Sequence, residues 1–252
     1  AKAWYIVFDN TAHSGDQGMG DQGGVDSRAS LTVSKITDSY WTPFHNLIAV
    51  ENDSSDTLLL GDDLQLDAGT SIVVTAWSLE GNGDLYLQTR AMNDLYSSGG
   101  VGTLYITGAA LQSVEGTSSF SWIVPNELDG EELILVADNT DTPVGGASGD
   151  SPLRMTVRVE LTPQLNPIIS DDSNSSTIVG SSVMLDAYST PNRLNQISSA
   201  SWDFDAGVDV DADGDFTNDE DATGWDAVAA WSTPGDRTVT LTVNSPVGTS
   251  AS

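Results

Sequence analysis

The chain has 252 residues, which is enough for one large domain or two domains of ordinary size. It carries 37 acidic and 8 basic residues, a net charge of −29, which argues against binding to nucleic acids and anionic membrane surfaces because both require basic patches. It has no cysteine, which excludes disulfides and thiolate metal sites, and no apolar run of about 18 residues, so no membrane span is predicted.

The apolar segments, taken in chain order, are short and bounded by turn residues, a pattern typical of β-strands. The Asn82-Gly83 pair predicts a hairpin, and residues 91–97 predict one helical turn. The whole pattern predicts an all-β protein built of tandem β-sandwiches. Strands are predicted over 4–8, 30–35, 47–50, 71–79, 85–89, 102–107, 119–124, 133–137, 154–161, 182–187, 200–204 and 237–243.

A strand followed by Asp-Asn-Thr, a Gly-rich loop and another strand occurs twice, at 4–36 and at 133–161. The second copy ends a domain, so we expect the chain to begin partway through one. Residues 1–38 would then be the C-terminal half of a preceding sandwich, or strands completed by a neighbour. The alternative is one larger sandwich over 1–162. The Asp-Asn-Thr triplets themselves fit either strand-exit turns or cation sites, and turn capping is the commoner use of these residues.

Residues 209–220 have the spacing of a twelve-residue calcium loop. Gly214 falls at position 6, where the loop must bend sharply, and the preceding segment reads as a strand, which favours a structural ion over a helix-pair switch. The alternative is that residues 209–220 are a solvated acidic run without a bound ion. For the acidity of the whole chain, salt adaptation competes with calcium binding as the explanation. The predicted Ca²⁺ ligands are Asp209, Asp211, Asp213, Asp215 (through its carbonyl), Thr217 and Glu220.

The C-terminal third resembles a polycystic-kidney-disease-type (PKD) domain. The residues that carry the resemblance are Ser181–Ala187, Ala200–Asp205 with its Trp-Asp-Phe core, and Pro234–Val243. The resemblance implies an immunoglobulin-like sandwich over 164–252, with Trp202 and Trp231 in the core and the acidic loop carried on an extended hairpin.

The middle region, 39–163, is similar to jelly-roll-like sandwiches of the pre-peptidase C-terminal type, which occur in extracellular prokaryotic proteins. The matching segments are Gly83–Leu87, Phe120–Pro125 and Leu135–Asn139. This similarity implies a jelly-roll-like architecture, and together with the PKD resemblance it implies an extracellular or cell-surface location.

No catalytic motif is found, and His13 and His45 are the two imidazoles. We therefore expect a non-catalytic extracellular structural protein, a calcium-stiffened subunit of a surface layer, stalk or filament that assembles with copies of itself or with neighbouring surface proteins. The alternative is an adhesion or carbohydrate-binding module of a larger secreted protein or hydrolase, with glycans as partners.

Overall fold

The computed structural model describes residues 41–59, 64–147, 149–170, 177–209, 212, 214, 216, 219–246, 248 and 250–252. They belong to one compact unit, Lys35–Ser252. The structure is all-β, as predicted, and its sheets are antiparallel sandwiches. The prediction for residues 1–38 lies outside the described residues.

The first sandwich contains eight antiparallel strands in two four-stranded sheets, ordered β1-β8-β3-β6 and β2-β7-β4-β5, the layout of a jelly roll. Its core lies between the sheets: Ile72 and Val157 from one sheet meet Leu87 and Leu135 from the other, all fully buried. The strands are β1 Trp41–Val50, β2 Ser55–Leu59, β3 Ser71–Glu80, β4 Asp84–Thr89, β5 Ala110–Leu111, β6 Thr117–Ile123, β7 Leu133–Asp138 and β8 Leu153–Thr162.

One helix, α1 (Arg90–Ser97), follows β4 directly and confirms the helical turn predicted over 91–97. Thr89 starts it, because its hydroxyl accepts a hydrogen bond from the Met92 N–H at 3.3 Å and so satisfies one of the free donors of the first turn. A short 3-10 turn over Asn126–Leu128 leads into β7.

The hairpin predicted at Asn82-Gly83 is wrong. The strands on either side, β3 and β4, belong to opposite sheets, so this turn carries the chain across the sandwich. The reason is that β3 pairs with β6 and β8 while β4 pairs with β5 and β7, so neither strand has a free edge on which the two could join.

The strand predicted over 102–107 is also wrong. The side-chain amide of Gln88 donates to the Leu104 carbonyl at 2.6 Å, and the Ile106 N–H donates to the Leu87 carbonyl at 2.8 Å before the chain turns at Ala109. Because these backbone groups are taken by the Gln88 side chain and by a backbone bond to β4, the apolar run forms a loop along β4.

The second sandwich contains a sheet ordered β11-β10-β13-β14 and a two-stranded sheet of β12 and β9. Its core is centred on Trp202, which is fully buried and packs with Leu185, Ala229 and Val243. The strands are β9 Ser182–Asp186, β10 Ser199–Asp203, β11 Ala222–Thr223, β12 Asp226–Ala230, β13 Thr240–Asn244 and β14 Ser250–Ala251.

A polar contact joins the two sandwiches. Asp67 of the first is 3% exposed and accepts hydrogen bonds from the Arg193 backbone N–H (3.1 Å), from the Arg193 guanidinium and from the Gln196 side chain (3.0 Å). Asp129 accepts the Ala68 N–H at 2.8 Å and the same guanidinium at 3.2 and 3.3 Å, and these bonds, the first above all, keep the pKa of that carboxyl below its usual range. We call Asp67, Asp129, Arg193 and Gln196 the interdomain clamp. It holds a loop of the second sandwich against the first.

Candidate metal centre

The acidic segment is the connection between β10 and β11. These strands pair with Trp202 opposite Ala222, so the chain leaves the sheet after Asp203 and returns at Asp221. We call the two ends of the connection, residues 203–205 and 219–221, its root. The two ends are joined there because the Asp221 N–H donates to the Trp202 carbonyl at 2.8 Å. The Trp202 indole N–H donates to the Gly224 carbonyl at 2.9 Å, so the connection is rooted directly on the core of the second sandwich.

Of the six predicted calcium ligands, the structure describes Asp209 and Glu220; Asp211, Asp213, Asp215 and Thr217 lie outside the described residues. Gly214 has φ +92°, a conformation that strains any other residue, and its N–H donates to Asp209 Oδ2 at 2.9 Å. Positions 1 and 6 of the predicted loop are thus folded onto one another.

The second carboxylate oxygen of Asp209, Oδ1, is sealed from solvent and has no hydrogen-bond partner among the residues that the structure describes. A carboxylate in this state carries charge that a cation can compensate. Glu220 lies on the exposed surface. Within the described ranges no three acidic or histidine side chains converge on one point, so this part of the loop does not by itself make a complete metal site.

A second buried carboxylate, Asp203, lies at the root of the connection and is not among the predicted ligands. Asp203 is 4% exposed; its Oδ1 accepts the Asp205 N–H at 2.9 Å, while Oδ2 is sealed from solvent without a partner in the described part of the chain. Burial raises the pKa of Asp203, and the charges of Asp221, Asp219 and Asp205 raise it further. The sequence does carry a signal for Asp203, because it places an acidic residue between two aromatic ones, Trp202 and Phe204. A charge at the end of a buried strand costs free energy and therefore suggests a compensating partner.

The second copy of Asp-Asn-Thr serves a structural role. Asp138 accepts from the Tyr86 hydroxyl at 2.7 Å and from the Thr140 N–H at 2.9 Å, so both of its oxygens are used within the protein. Asn139 donates to the carbonyls of Glu51 and Ser151 at 3.0 and 2.9 Å, which ties three segments together at the end of β7. This favours the turn reading of this triplet; the first copy lies outside the described residues.

His45, one of the two imidazoles, lies on β1 with its ring 6.2 Å from that of Trp77, a packed position on the sheet surface. His13 lies outside the described residues. Among the described residues, no helix combines the length and the apolar character needed to cross a lipid bilayer.

Comparison with known proteins does not place the chain in a family. No protein-family model matches it, and neither does any curated protein. Among solved structures it is similar to the glycoside hydrolase domain of Endo-D from Streptococcus pneumoniae R6, at 9% identity and a TM-score of 0.27 over 82% of this chain. It is also similar to the coat protein dimer of tobacco streak virus, at 7% identity and a TM-score of 0.25 over 56% of this chain and 96% of that one. The match spans about a third, 31%, of the Endo-D chain, and likenesses this distant carry no functional argument.

Proposed function

We propose that this chain is a non-catalytic extracellular structural protein, a calcium-stiffened β-sandwich subunit of a cell-surface layer, stalk or filament. The observation that carries the calcium part is the bend at Gly214, whose N–H holds one oxygen of Asp209 and leaves the other buried and unpartnered among the described residues. That arrangement fits a loop whose first carboxylate presents one oxygen to a hard dication.

The structural part of the proposal is supported by the way the two sandwiches are built and joined. Each has its own hydrophobic core, and the interdomain clamp links them through a carboxylate that is 3% exposed. A rigid tandem of this kind suits a load-bearing unit, and the net charge of −29 suits surroundings rich in salt or divalent cations, which screen self-repulsion.

The calcium proposal predicts a rise in thermal stability that is specific to the ion. Because the folded loop binds calcium and the unfolded chain does not, an ion concentration about 100 times Kd adds about 2.7 kcal/mol to the free energy of unfolding. Differential scanning calorimetry of the full chain in CaCl₂, in NaCl of equal ionic strength and in EGTA separates this effect from general screening.

Asp209→Asn should abolish most of the calcium-dependent rise, because it weakens the first ligand while preserving the acceptor for the Gly214 N–H. Asp94→Asn, on the exposed side of α1, removes an equal charge far from the loop and should keep the rise. A melting temperature that responds equally to NaCl and CaCl₂ would rule out the calcium proposal and favour salt adaptation.

The assembly part is tested by electron microscopy of the full chain with calcium and with chelator. We expect sheets or filaments in calcium that disperse in EGTA and fail to form when residues 1–36 are deleted. Normal assemblies from the deleted chain would contradict the proposed role of that segment, and a monomer under every condition would contradict the subunit proposal.

The alternative, a carbohydrate-binding module, is favoured by one surface feature. Tyr188, Thr190, Asn192 and Trp225 line an open depression on the second sandwich, and Tyr188 is 68% exposed. Exposed aromatic rings offer apolar faces on which sugar rings stack. A monomer whose tryptophan fluorescence changes with polysaccharide, and loses that response in Tyr188→Ala, would favour this function over the structural one.

A further inference from the structure

The root of the β10–β11 connection holds two aspartates at adjacent peptide groups. The Phe204 N–H donates to Asp221 Oδ2 at 2.7 Å, and the next N–H along the chain, that of Asp205, donates to Asp203 Oδ1 at 2.9 Å. Consecutive backbone donors therefore hold one oxygen of each carboxylate and bring the two side chains to the same short stretch of backbone.

The remaining oxygen of Asp203, Oδ2, is the observation that indicates a bound ligand. It is sealed from solvent on a residue that is 4% exposed, and no described residue donates a hydrogen bond to it. Leaving a buried carboxylate oxygen without a partner costs free energy unless a proton or a cation compensates it. Across the described residues, the sealed and unpartnered carboxylate oxygens are this one and Asp209 Oδ1, and both belong to the same connection.

The charge around this root is strongly negative. Asp205, Asp219 and Asp221 all act on Asp203, and the cation described at the root is Arg237, whose Nε lies 3.2 Å from Asp205 Oδ2. Arg237 also donates to the Thr233 hydroxyl at 2.8 Å, which fixes it on the Asp205 side. Among the described residues, the carboxylates of Asp203, Asp205 and Asp221 outnumber this one cation, an excess of negative charge that favours a bound dication.

The root is separated along the chain from the bend at Asp209 and Gly214. The Ala206 N–H donates to the Thr238 carbonyl at 3.0 Å, and the Val208 N–H donates to the Asp205 carbonyl at 2.9 Å, so a turn fixed to the neighbouring segment stands between the two carboxylates. Asp203 Oδ2 and Asp209 Oδ1 are therefore held by different stretches of backbone.

We propose that the root is a second calcium position, in which the carboxylates of Asp203 and Asp221 bind the ion and water and backbone carbonyls supply its remaining ligands. The inference rests on the proposed stabilisation of this connection by calcium, but it uses residues outside the twelve-residue loop. The ion would neutralise the buried carboxylate and fasten the loop to the strand that carries Trp202.

Calcium stoichiometry in the full chain tests the inference, measured by isothermal titration calorimetry. We expect two equivalents in the wild type and one in Asp203→Asn, which keeps the acceptor for the Asp205 N–H and removes the charge. Asp221→Asn should likewise lose one equivalent and serves if Asp203→Asn does not fold, as judged by near-UV circular dichroism. Asp209→Asn should lose the other equivalent.

Terbium luminescence locates the second ion. The Trp231 indole N–H donates to the Phe204 carbonyl at 3.1 Å, so this ring lies beside the root and can sensitise Tb³⁺ bound there. Asp203→Asn should remove a calcium-displaceable part of the emission. Trp231→Phe should lower the same part while calorimetry still counts two calcium ions.

The outcomes separate this inference from the proposed function. If Asp203→Asn and Asp221→Asn fold and bind as many ions as the wild type, the second position is overturned. If Asp203→Asn or Asp221→Asn loses all calcium binding, and the single variant Asp209→Asn does so too, then the root and the loop share one ion. The inference of a second ion is then also overturned. If Asp209→Asn has no effect while Asp203→Asn loses one equivalent, the root position stands and the loop proposal fails.

Discussion

Two aspartates lie opposite one another on the outer face of the β4–β7 pair, on the same side as Tyr86, where loops bury them and charges are costly. Asp84 and Asp138 are paired across β4 and β7 and both are fully buried. Asp84 accepts the N–H groups of Ser113 and Gly146 at 2.8 and 2.9 Å, and Asp138 accepts the Tyr86 hydroxyl. At the residue scale, therefore, buried carboxylates are used here to fix loops, because full hydrogen bonding offsets the cost of burial.

Tyr86→Phe should lower the free energy of unfolding by about 1–3 kcal/mol, because Asp138 Oδ2 loses its donor in a buried position. Urea denaturation of the full chain measures this loss. Tyr105→Phe is the matched control: its ring lies 5.8 Å from that of Tyr86, and no hydrogen bond of its hydroxyl is described. Equal losses in the two variants would show that the Tyr86 hydroxyl contributes nothing special.

Burial raises the pKa of Asp138, so its effect on stability has a definite sign. Above the ordinary aspartate pKa, about 3.9, the folded state keeps this proton more tightly than the unfolded state does, so the stabilising contribution falls as pH rises through the folded pKa. Asn does not titrate. The free energy of unfolding of the wild type minus that of Asp138→Asn, measured in EGTA, should therefore fall with rising pH and then level off. A difference that rises with pH would reverse this assignment.

At the scale of the element, the turn at Asn82-Gly83, where the chain crosses between the sheets, leaves no space for a side chain at Gly83. A Cβ at Gly83 would lie 2.2 Å from Leu153 Cδ2 and 2.9 Å from the Asp138 carbonyl oxygen. Leu153 is fully buried, so it has no room to move. The crossing is therefore packed as tightly as the core beneath it.

Gly83→Ala should cost about 1–3 kcal/mol through this overpacking. Gly108→Ala is the control, because its added Cβ would meet the Trp122 ring at an ordinary 3.6 Å. Thermal unfolding of the two variants should show a clear drop in melting temperature for the first and little change for the second. A tolerated alanine at 83 would mean that the crossing is looser than its contacts indicate.

The sequence pattern predicts most elements whose periodicity is local and fails where contacts between distant segments decide. Leu153–Thr162 is a strand whose apolar side chains alternate with polar ones, and Leu133–Asp138 is a short apolar run that is buried on both faces. Ser55–Leu59 is a strand that the pattern misses, because a single residue of it, Leu59, is buried and it forms the edge of its sheet. The loop over 102–107 depends on Gln88, which no local pattern indicates.

For the candidate site too, the sequence predicts the part that depends on local spacing and not the part that depends on strand pairing. The spacing at 209–220 is visible in the sequence, and Gly214 takes the bend that position 6 requires. Asp203 was not found, because its importance comes from being buried at a strand end beside Asp221, which only the pairing of β10 with β11 brings about.

On the scale of the whole molecule, the interdomain clamp fixes how the second sandwich sits on the first. Arg193 satisfies a carboxylate of the first sandwich that is 3% exposed, Asp67, and Leu194 beside it packs onto the first hydrophobic core. A buried carboxylate that loses its partner is costly, so the two sandwiches resist separation.

Arg193→Ala should lower the free energy of unfolding by about 1–3 kcal/mol and increase the radius of gyration in small-angle scattering, because Asp67 loses its charged partner. Arg90→Ala breaks an exposed ion pair with Glu132 inside one sandwich, and we expect about 0–1 kcal/mol and no change in shape. If both variants kept the wild-type scattering curve, some other contact would have to hold the sandwiches together.

The root of the acidic connection has a consequence for how such a protein is modified. Trp202 and Ala222 are direct partners across the ladder, so the two ends of the connection lie as close together as the ends of a tight turn. Phe204, Asp205 and Ala206 contact the rest of the second sandwich, so we expect that a short turn can replace the connection beyond Ala206, up to Glu220, with β10 and β11 still paired. The length and composition of this connection can then be varied separately from the strands that carry it.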